Sequence, residues 1–334
     1  MPTPPTMRVG VVGIGFGQAV LVPAFRTDPG CEVVAIAASS EERARRIADR
    51  LAIGTALGDW RSLVGDPRVD VVAIAVPPAL QPAIAIAAAR AGKHVFCEKP
   101  AALTLADARA MRDAADGKVV HAIDFGFPEL PAWRELKAAL ASGRIGDASR
   151  VYVDMRVRGR GTDVAGRASW KARDADGGGL WGGFLPHALY HLEWAAGPLR
   201  RLRARRLRDD RALHVWGEYA SGASAAVTLD AGASFGSGHR VEVAGSTGTA
   251  LLENPNVDHS GPFTLSIDRD VVRADAANPT GDGRVAAVAP LARRFLDAIR
   301  ERGRTAPDLS DGVRVQQLLE AVDRAARDDA WVTV

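Results

Sequence analysis

Over residues 1–123 short apolar runs alternate with stretches whose apolar positions recur every three or four residues, a pattern that predicts strands and helices in turn. Met7–Val12 reads as the first strand and Phe16–Thr27 as a helix entered through Gly13-Ile14-Gly15. Glu32–Ala37 predicts a second strand, followed by helices over Glu41–Leu51 and Asp59–Val64. Val69–Val76 is almost wholly apolar, as a strand covered on both faces must be, and Pro77-Pro78 stops it. Gln81–Ala91 predicts a helix that Gly92 ends. Lys93–Cys97 predicts a further buried strand, Leu105–Ala115 a helix and Lys118–Ile123 a last strand. Strand–helix alternation of this kind implies an α/β unit with a parallel, doubly wound sheet.

The pattern changes after Asp124. Trp133–Ser142 predicts an amphipathic helix and Gly143–Gly146 a turn. Period-two segments then dominate: Arg150–Val157, His214–Tyr219, Ala223–Leu229, Arg240–Ala244, Thr249–Leu252 and Phe263–Ile267. One helix interrupts them at Pro186–Ala196, with its proline in the first turn, and helices over Leu291–Arg302 and Gly312–Arg327 close the chain. The expectation is two domains, residues 1–123 and 124–334, the second an α+β domain with a large, mostly antiparallel open sheet.

A length of 334 residues suits two domains, and 47% hydrophobic with 25% charged residues is a globular composition. No apolar run approaches the ~18 residues that cross a bilayer. The start, Met1-Pro2-Thr3-Pro4-Pro5-Thr6, reads as a disordered tail without the basic and apolar segments of a signal peptide, so a cytoplasmic location is expected. The two cysteines, Cys31 and Cys97, fall on predicted strands and read as small core residues. A net charge of +3 gives no polyanion-binding bias. The basic run Arg200–Arg208 lacks interleaved aromatics, so it reads as a solvated or edge strand rather than a nucleic-acid contact.

Between the first strand and its helix lies Gly13-Ile14-Gly15-Phe16-Gly17-Gln18. Gly13 permits the tight turn, Gly15 lets a pyrophosphate approach the backbone, and the helix start offers N–H groups and partial positive charge. Gln18 stands where G-x-G-x-x-G has its third glycine, so strand–helix packing there is expected to be looser or shifted. The end of the second strand selects the dinucleotide. An Asp or Glu there would accept from the ribose 2′-hydroxyl of NAD. This chain has Ala38 at that position, then Ser39, Ser40 and, one turn into the helix, Arg43. Small hydroxyls and a guanidinium suit a 2′-phosphate, so NADP(H) is expected over NAD(H). Ser39 or Ser40 could equally serve only as a helix cap.

Glu98-Lys99-Pro100 ends a predicted parallel strand, where open α/β sheets bind ligands. With this tripeptide preceded by Ala91-Gly92-Lys93-His94-Val95, and with Val69–Pro78, Trp170-Lys171, Gly177-Gly178-Gly179, Gly245–Thr249 and Asp311-Gly312 in order, the chain resembles the glucose-fructose oxidoreductase/inositol dehydrogenase (Gfo/Idh/MocA) family along nearly its whole length. The resemblance implies a Rossmann domain, a second domain whose open sheet pairs subunits into a homodimer or homotetramer, and hydride transfer between nicotinamide and a carbon bearing OH or C=O. It implies that Glu98, Lys99, Ala75, Val76, Pro77 and Gln81 join the glycine loop on the cofactor side, and that a cis bond precedes Pro100. Family members use the E-K-P lysine with an Asp and a His spaced D-x-x-x-H. Lys99 and His187 match two of these; the Asp position falls on Gly183, and an Asp common three residues after the His falls on Tyr190.

Without that Asp, His187 is the first candidate for the base that takes the hydroxyl proton, with Lys99 polarising the oxygen. Trp170, Lys171, Trp181, Tyr190 and His191 are candidates for the substrate side. Structural roles stay open for Trp181, Tyr190 and His191, since a helical histidine or aromatic commonly belongs to a core. His187 and His191 have ligand spacing but no third ligand, so no metal is expected. The expected function is an NADP(H)-dependent oxidoreductase acting on a small polyhydroxylated molecule. A cofactor-binding sensor without turnover and an NAD-assisted glycosidase are the alternatives.

Overall fold

The computed structural model describes residues 6–156, 176–207, 212–230, 238–256, 260–276 and 281–334. The chain forms two compact units, Met1–Gly126 with Thr280–Val313 and Phe127–Pro279 with Arg314–Val334. Among the described residues no helix is long and apolar enough to cross a membrane.

The first unit is built on six parallel strands: β1 (Met7–Val12), β2 (Cys31–Ala37), β3 (Thr55–Leu57), β4 (Val71–Ile74), β5 (His94–Cys97) and β6 (His121–Ile123). Their order is β3-β2-β1-β4-β5-β6, the doubly wound dinucleotide-binding order. The order reverses between β1 and β4, the point at whose carboxyl ends such sheets bind ligands. All four residues of β4 are buried, in keeping with its apolar run, although the strand is shorter than Val69–Val76. β3 was not expected, because three residues carry no readable period. The helices Glu41–Leu51 and Leu105–Ala115 form as the sequence predicts, capped by the Ser40 and Thr104 hydroxyls.

The domain division at residue 124 needs correction. Helix Arg284–Arg300 belongs to the first unit. Its Val288, Leu291, Ala292, Phe295 and Leu296 join the core cluster of the parallel sheet. Phe96 of β5 meets Phe25 edge-on at 5.3 Å and Phe295 at 5.6 Å. Each fully buried phenylalanine contributes about 1.5–3 kcal/mol of hydrophobic stabilisation, so this apolar side cannot be left in water. At the helix end Arg300 donates to both carboxylate oxygens of Asp28 at 2.9 Å. The helix starts seven residues before the expected Leu291 and carries Pro290 inside it.

The second unit holds β7 (Ala148–Arg156), β8 (Leu199–Leu207), β9 (Ala212–Tyr219), β10 (Ser224–Asp230), β11 (Gly238–Gly245), β12 (Thr249–Asn254), β13 (Thr264–Ile267), β14 (Asp270–Ala274) and β15 (Val332–Thr333). They form one sheet in the order β14-β13-β12-β11-β7-β10-β9-β8-β15, with only the β7–β10 pair parallel. Burial alternates along β10 and β12, so one face of these strands is covered. Helix Leu185–Ala196 is tied down where the Tyr219 hydroxyl donates to the Leu192 carbonyl at 2.9 Å. Arg314 donates to both oxygens of Glu193 from the same helix, at 2.7 and 3.0 Å. The basic run forms β8, where carboxylates answer its arginines. Arg200 and Arg201 pair with Glu218, Arg203 with Asp329 and Arg206 with Asp323.

Candidate active site

The glycine loop sits at the reversal of strand order. Gly13 adopts φ 107°, and its N–H donates to the Ala37 carbonyl at 2.9 Å. A Cβ on Gly13 would stand 2.1 Å from the Ala75 carbonyl oxygen, so the loop lies directly on the end of β4. Around Gly15 the position of a Cβ has nothing within 4 Å. The next helix opens with a π turn over Gly17–Leu21 before the α turn Val22–Phe25, a departure from the continuous α-helix expected over Phe16–Thr27. Gly17 supplies the close strand–helix contact: its Cβ would meet Val11 at 2.9 Å. The packing role expected three residues after Gly15 is thus filled one residue earlier, and Gln18 turns to Arg50 instead. No side chain caps the helix start at Phe16, which leaves its N–H groups to an anion. The Phe16 ring lies under the Arg284 guanidinium at 5.0 Å.

At the end of β2 the structure brings Ser39, Ser40 and Arg43 together. The Ser40 hydroxyl accepts from the Arg43 N–H at 3.3 Å and caps the helix. The exposed Arg43 guanidinium donates to the Ser39 hydroxyl at 2.7 Å. Glu41 and Glu42, the nearest carboxylates in sequence, pair with Arg45 and Arg46 one turn along their own helix.

Ala75, Val76 and Pro77 follow β4, half-buried at the crevice side of the sheet. Glu98 follows β5, its N–H bonded to the Ile74 carbonyl at 2.9 Å, and the Lys99–Pro100 bond is cis. Gln81, expected on the cofactor list, has no exposed surface. Its amide donates to the carbonyls of Glu98 at 3.0 Å and Pro100 at 2.6 Å, and accepts from the Cys97 thiol at 3.2 Å. It therefore holds the Glu98-Lys99-Pro100 turn from beneath. Cys31 and Cys97 are both free.

Sequence reasoning missed Asp124. It follows β6 beside Glu98, its N–H bonded to the Cys97 carbonyl at 2.8 Å. The residue is 4% exposed. Burial pushes its carboxyl up from the usual range, against the opposing influence of Glu98 and the nearby charges of Lys99 and Arg284. The available signal was its place: a carboxylate straight after an apolar parallel strand, as Glu98 is.

In the second unit His187 lies half-buried on helix Leu185–Ala196, its ring 5.0 Å from that of Phe127. His191 needs correction. It has no exposed surface and packs against Trp133 at 4.4 Å and His239 at 5.0 Å. Neither ring nitrogen has a hydrogen-bond partner among the described residues, and burial with the neighbouring His239 pushes its pKa well down. Burial keeps it neutral, as part of this aromatic core. Tyr190 is half-buried beside it. Trp181 carries the Arg206 guanidinium over its ring at 4.0 Å. Gly183 ends the short helix Gly179–Gly183 with nothing within 4 Å of a Cβ, so a carboxylate is absent there for no steric reason. Trp170 and Lys171 lie outside the described residues. Among the described residues no group of three or more His, Cys, Asp or Glu could hold a metal ion.

A doubly wound sheet, an uncapped helix start behind a glycine loop and a lysine turn at the crevice define a nicotinamide-dinucleotide oxidoreductase. Residues 7–123 match the "Oxidoreductase family, NAD-binding Rossmann fold" model and residues 133–251 the "GFO/IDH/MocA C-terminal domain" model. An uncharacterized oxidoreductase of Rhizobium meliloti is 30% identical over 98% of this chain and 99% of its own. Levoglucosan dehydrogenase of Pseudarthrobacter phenanthrenivorans is 26% identical over 98% of both chains. A solved structure of levoglucosan dehydrogenase with NADH and levoglucosan has a TM-score of 0.85 at 25% identity, covering 98% of this chain and 99% of that one. The chain belongs to the GFO/IDH/MocA oxidoreductase family and is an NAD(P)-dependent oxidoreductase of the CH–OH class.

Proposed function

We propose that the chain moves hydride between NADP(H), in preference to NAD(H), and a carbon bearing OH or C=O in a small polyhydroxylated molecule, and that it does so in the cytoplasm. Sugars, cyclitols, sugar nucleotides and their keto derivatives are the substrate class. The observation that carries the cofactor choice is the Ser39–Arg43 pair, joined at 2.7 Å at the end of β2, with no carboxylate at residues 38–40. The substrate class leans on levoglucosan dehydrogenase, named for a polyhydroxylated ring.

When bound, the nicotinamide accepts or supplies the hydride. Gly13, Gly15 and the helix start beyond Phe16 receive the pyrophosphate, and Ser39 with Arg43 receives the 2′-phosphate. Lys99 bonds the reacting oxygen. His187 is the proposed base for oxidation, since a neutral imidazole can take the hydroxyl proton near neutral pH. Trp181 and Tyr190, with Trp170 and Lys171, belong to the proposed substrate side. The nine-stranded sheet, where Trp216 of β9 is 41% exposed, is the proposed surface for a homodimer or homotetramer.

Steady-state kinetics on a polyol and keto-sugar panel tests this reading. Turnover with a lower KM for NADPH than for NADH supports it, and Arg43→Ala should raise the NADPH KM about tenfold or more while sparing NADH. A preference for NADH sinks the cofactor assignment. Gly183 favours a second reading, a sensor that binds NADPH without turnover; that protein would bind the cofactor tightly and convert nothing on the panel.

A further inference from the structure

His94 opens β5 and His121 opens β6, so both stand at the amino ends of the parallel strands, the opposite end of the sheet from the glycine loop and Lys99. They line a cavity of about 500 Å³ within the first unit. Its other walls include residues 116–120, after helix Leu105–Ala115, and residues 302–305, after helix Arg284–Arg300. Small-molecule sites span about 300–1,000 Å³, so the space suits an organic molecule better than a lone ion. The histidines are set as donors. His94 Nδ1 accepts from the Val120 N–H at 3.0 Å, and His121 Nδ1 accepts from the Leu309 N–H at 3.2 Å. With Nδ1 accepting, each neutral ring carries its proton on Nε2. Burial pushes both imidazoles down from their usual range, which favours that neutral form. Thr305, 6% exposed, lines the same cavity, and its buried hydroxyl has no hydrogen-bond partner among the described residues. A hydroxyl buried in this way is unfavourable, so a ligand that supplies the partner is favoured at this wall.

Charge narrows the ligand. Arg304 reaches Asp116 at 3.6 Å, whereas Lys118 and Arg302 pair with no carboxylate among the described residues. Two unanswered cations match the charge of a phosphomonoester, close to −2 near neutral pH. Asp308, which accepts from the Ser310 N–H at 2.6 Å, lines the cavity with Asp116. Ionised carboxylates only accept, which suits hydroxyl groups on the rest of the molecule. We propose that this cavity is a second ligand site that takes the phosphomonoester of a small polyol. Lys118, Arg302, the two Nε2–H groups and the Thr305 hydroxyl receive the phosphate, and Asp116 and Asp308 receive the hydroxyls. The site shares no residue with the glycine loop, the end of β2 or the Lys99 turn, so it stands or falls apart from the cofactor assignment.

Isothermal titration of sorbitol 6-phosphate into the protein saturated with NADPH or NADH tests the site. With reduced cofactor and an alcohol as probe no hydride can move, and the glycine loop is occupied. The wild type should bind the probe with a Kd of about 1 mM or tighter, and Lys118→Gln/Arg302→Gln should weaken that binding about tenfold or more. Arg302 is exposed and Lys118 half-buried, so this variant should fold and keep the wild-type affinity for the cofactor. Thr305→Val should also weaken the probe, and apo stability should hold or rise because an unpartnered hydroxyl is removed. Wild-type affinity for the probe in either variant overturns the proposal, because the probe then sits elsewhere. Absence of binding to the wild type at about 10 mM probe overturns it as well. Sorbitol or inorganic phosphate bound as tightly as sorbitol 6-phosphate overturns the assigned ligand class.

Discussion

Gly15→Ala separates the cofactor's use of the glycine loop from the fold's. An ideal Cβ at Gly15 has nothing within 4 Å, and the residue's φ is one that alanine adopts. The apo protein should therefore keep its stability or gain about 0.4–1 kcal/mol from the stiffer unfolded chain. The methyl group would stand where the pyrophosphate must approach the N–H groups. Loss of a single charge-assisted hydrogen bond costs about 1.5–3 kcal/mol, which raises the NADPH Kd roughly 10- to 150-fold. Gly13→Ala is the contrasting perturbation. Its Cβ would stand 2.1 Å from the Ala75 oxygen, where real contacts stay beyond 3.0 Å, at φ 107°. Strain and overpacking together cost about 2–6 kcal/mol, so this variant should be destabilised even without cofactor. Thermal or denaturant unfolding of the apo proteins, with isothermal titration of NADPH, reads both effects. Wild-type NADPH affinity in Gly15→Ala would refute the placement of the pyrophosphate on this loop.

Three further outcomes follow from the packing and charge of the two units. Phe96→Ala removes both edge-on ring contacts, at 5.3 and 5.6 Å, from a side chain with no exposed surface. A loss of about 3–5 kcal/mol in denaturant unfolding is expected, and a loss below about 1 kcal/mol would contradict the core described above. The bonds from Arg300 hold the Asp28 carboxyl below its usual range, so this pair's stabilisation is complete above the unfolded carboxyl pKa of about 3.9 and fades as pH falls through the lower folded value. Asp28→Asn should thus flatten the acid limb of stability against pH and leave no such component above about pH 5, and an unaltered acid limb would count against the pair. Gly183→Asp places a carboxylate in open space four residues before His187; it should fold normally and raise the apparent pKa of the base in the pH–rate profile. An unmoved profile would separate that position from His187.

Much of this was legible in one dimension, wherever local chemistry decides. The run over β1 and the turn at Gly13 follow from burial on both faces and from the need for positive φ. Helix Glu41–Leu51 has the expected bounds because its cap, its acidic first turn and its (i, i+4) pairs are all local. What stayed hidden depends on neighbours distant in sequence. Helix Arg284–Arg300 returns to the first unit because Phe295 completes a cluster begun by Phe25 and Phe96. In one dimension Gln81 and His191 read as contacts for small molecules; that one supports a turn and the other joins an aromatic core shows only in the packing. Asp124 gained its meaning only once β6 was seen beside β5. β3 and β15 carry too few residues for any periodicity to show, and β14 has no covered face to alternate with, four of its five residues being exposed.

The most direct test is single-turnover and steady-state kinetics of Lys99→Met with the best substrate of the wild type. Lys99 extends from a turn that Gln81 fixes from beneath, so the substitution should leave the fold intact and NADPH affinity within about threefold. The prediction is a fall in kcat of about a hundredfold or more. A Lys99→Met enzyme that reduces or oxidises the same substrate at the wild-type rate would contradict the account.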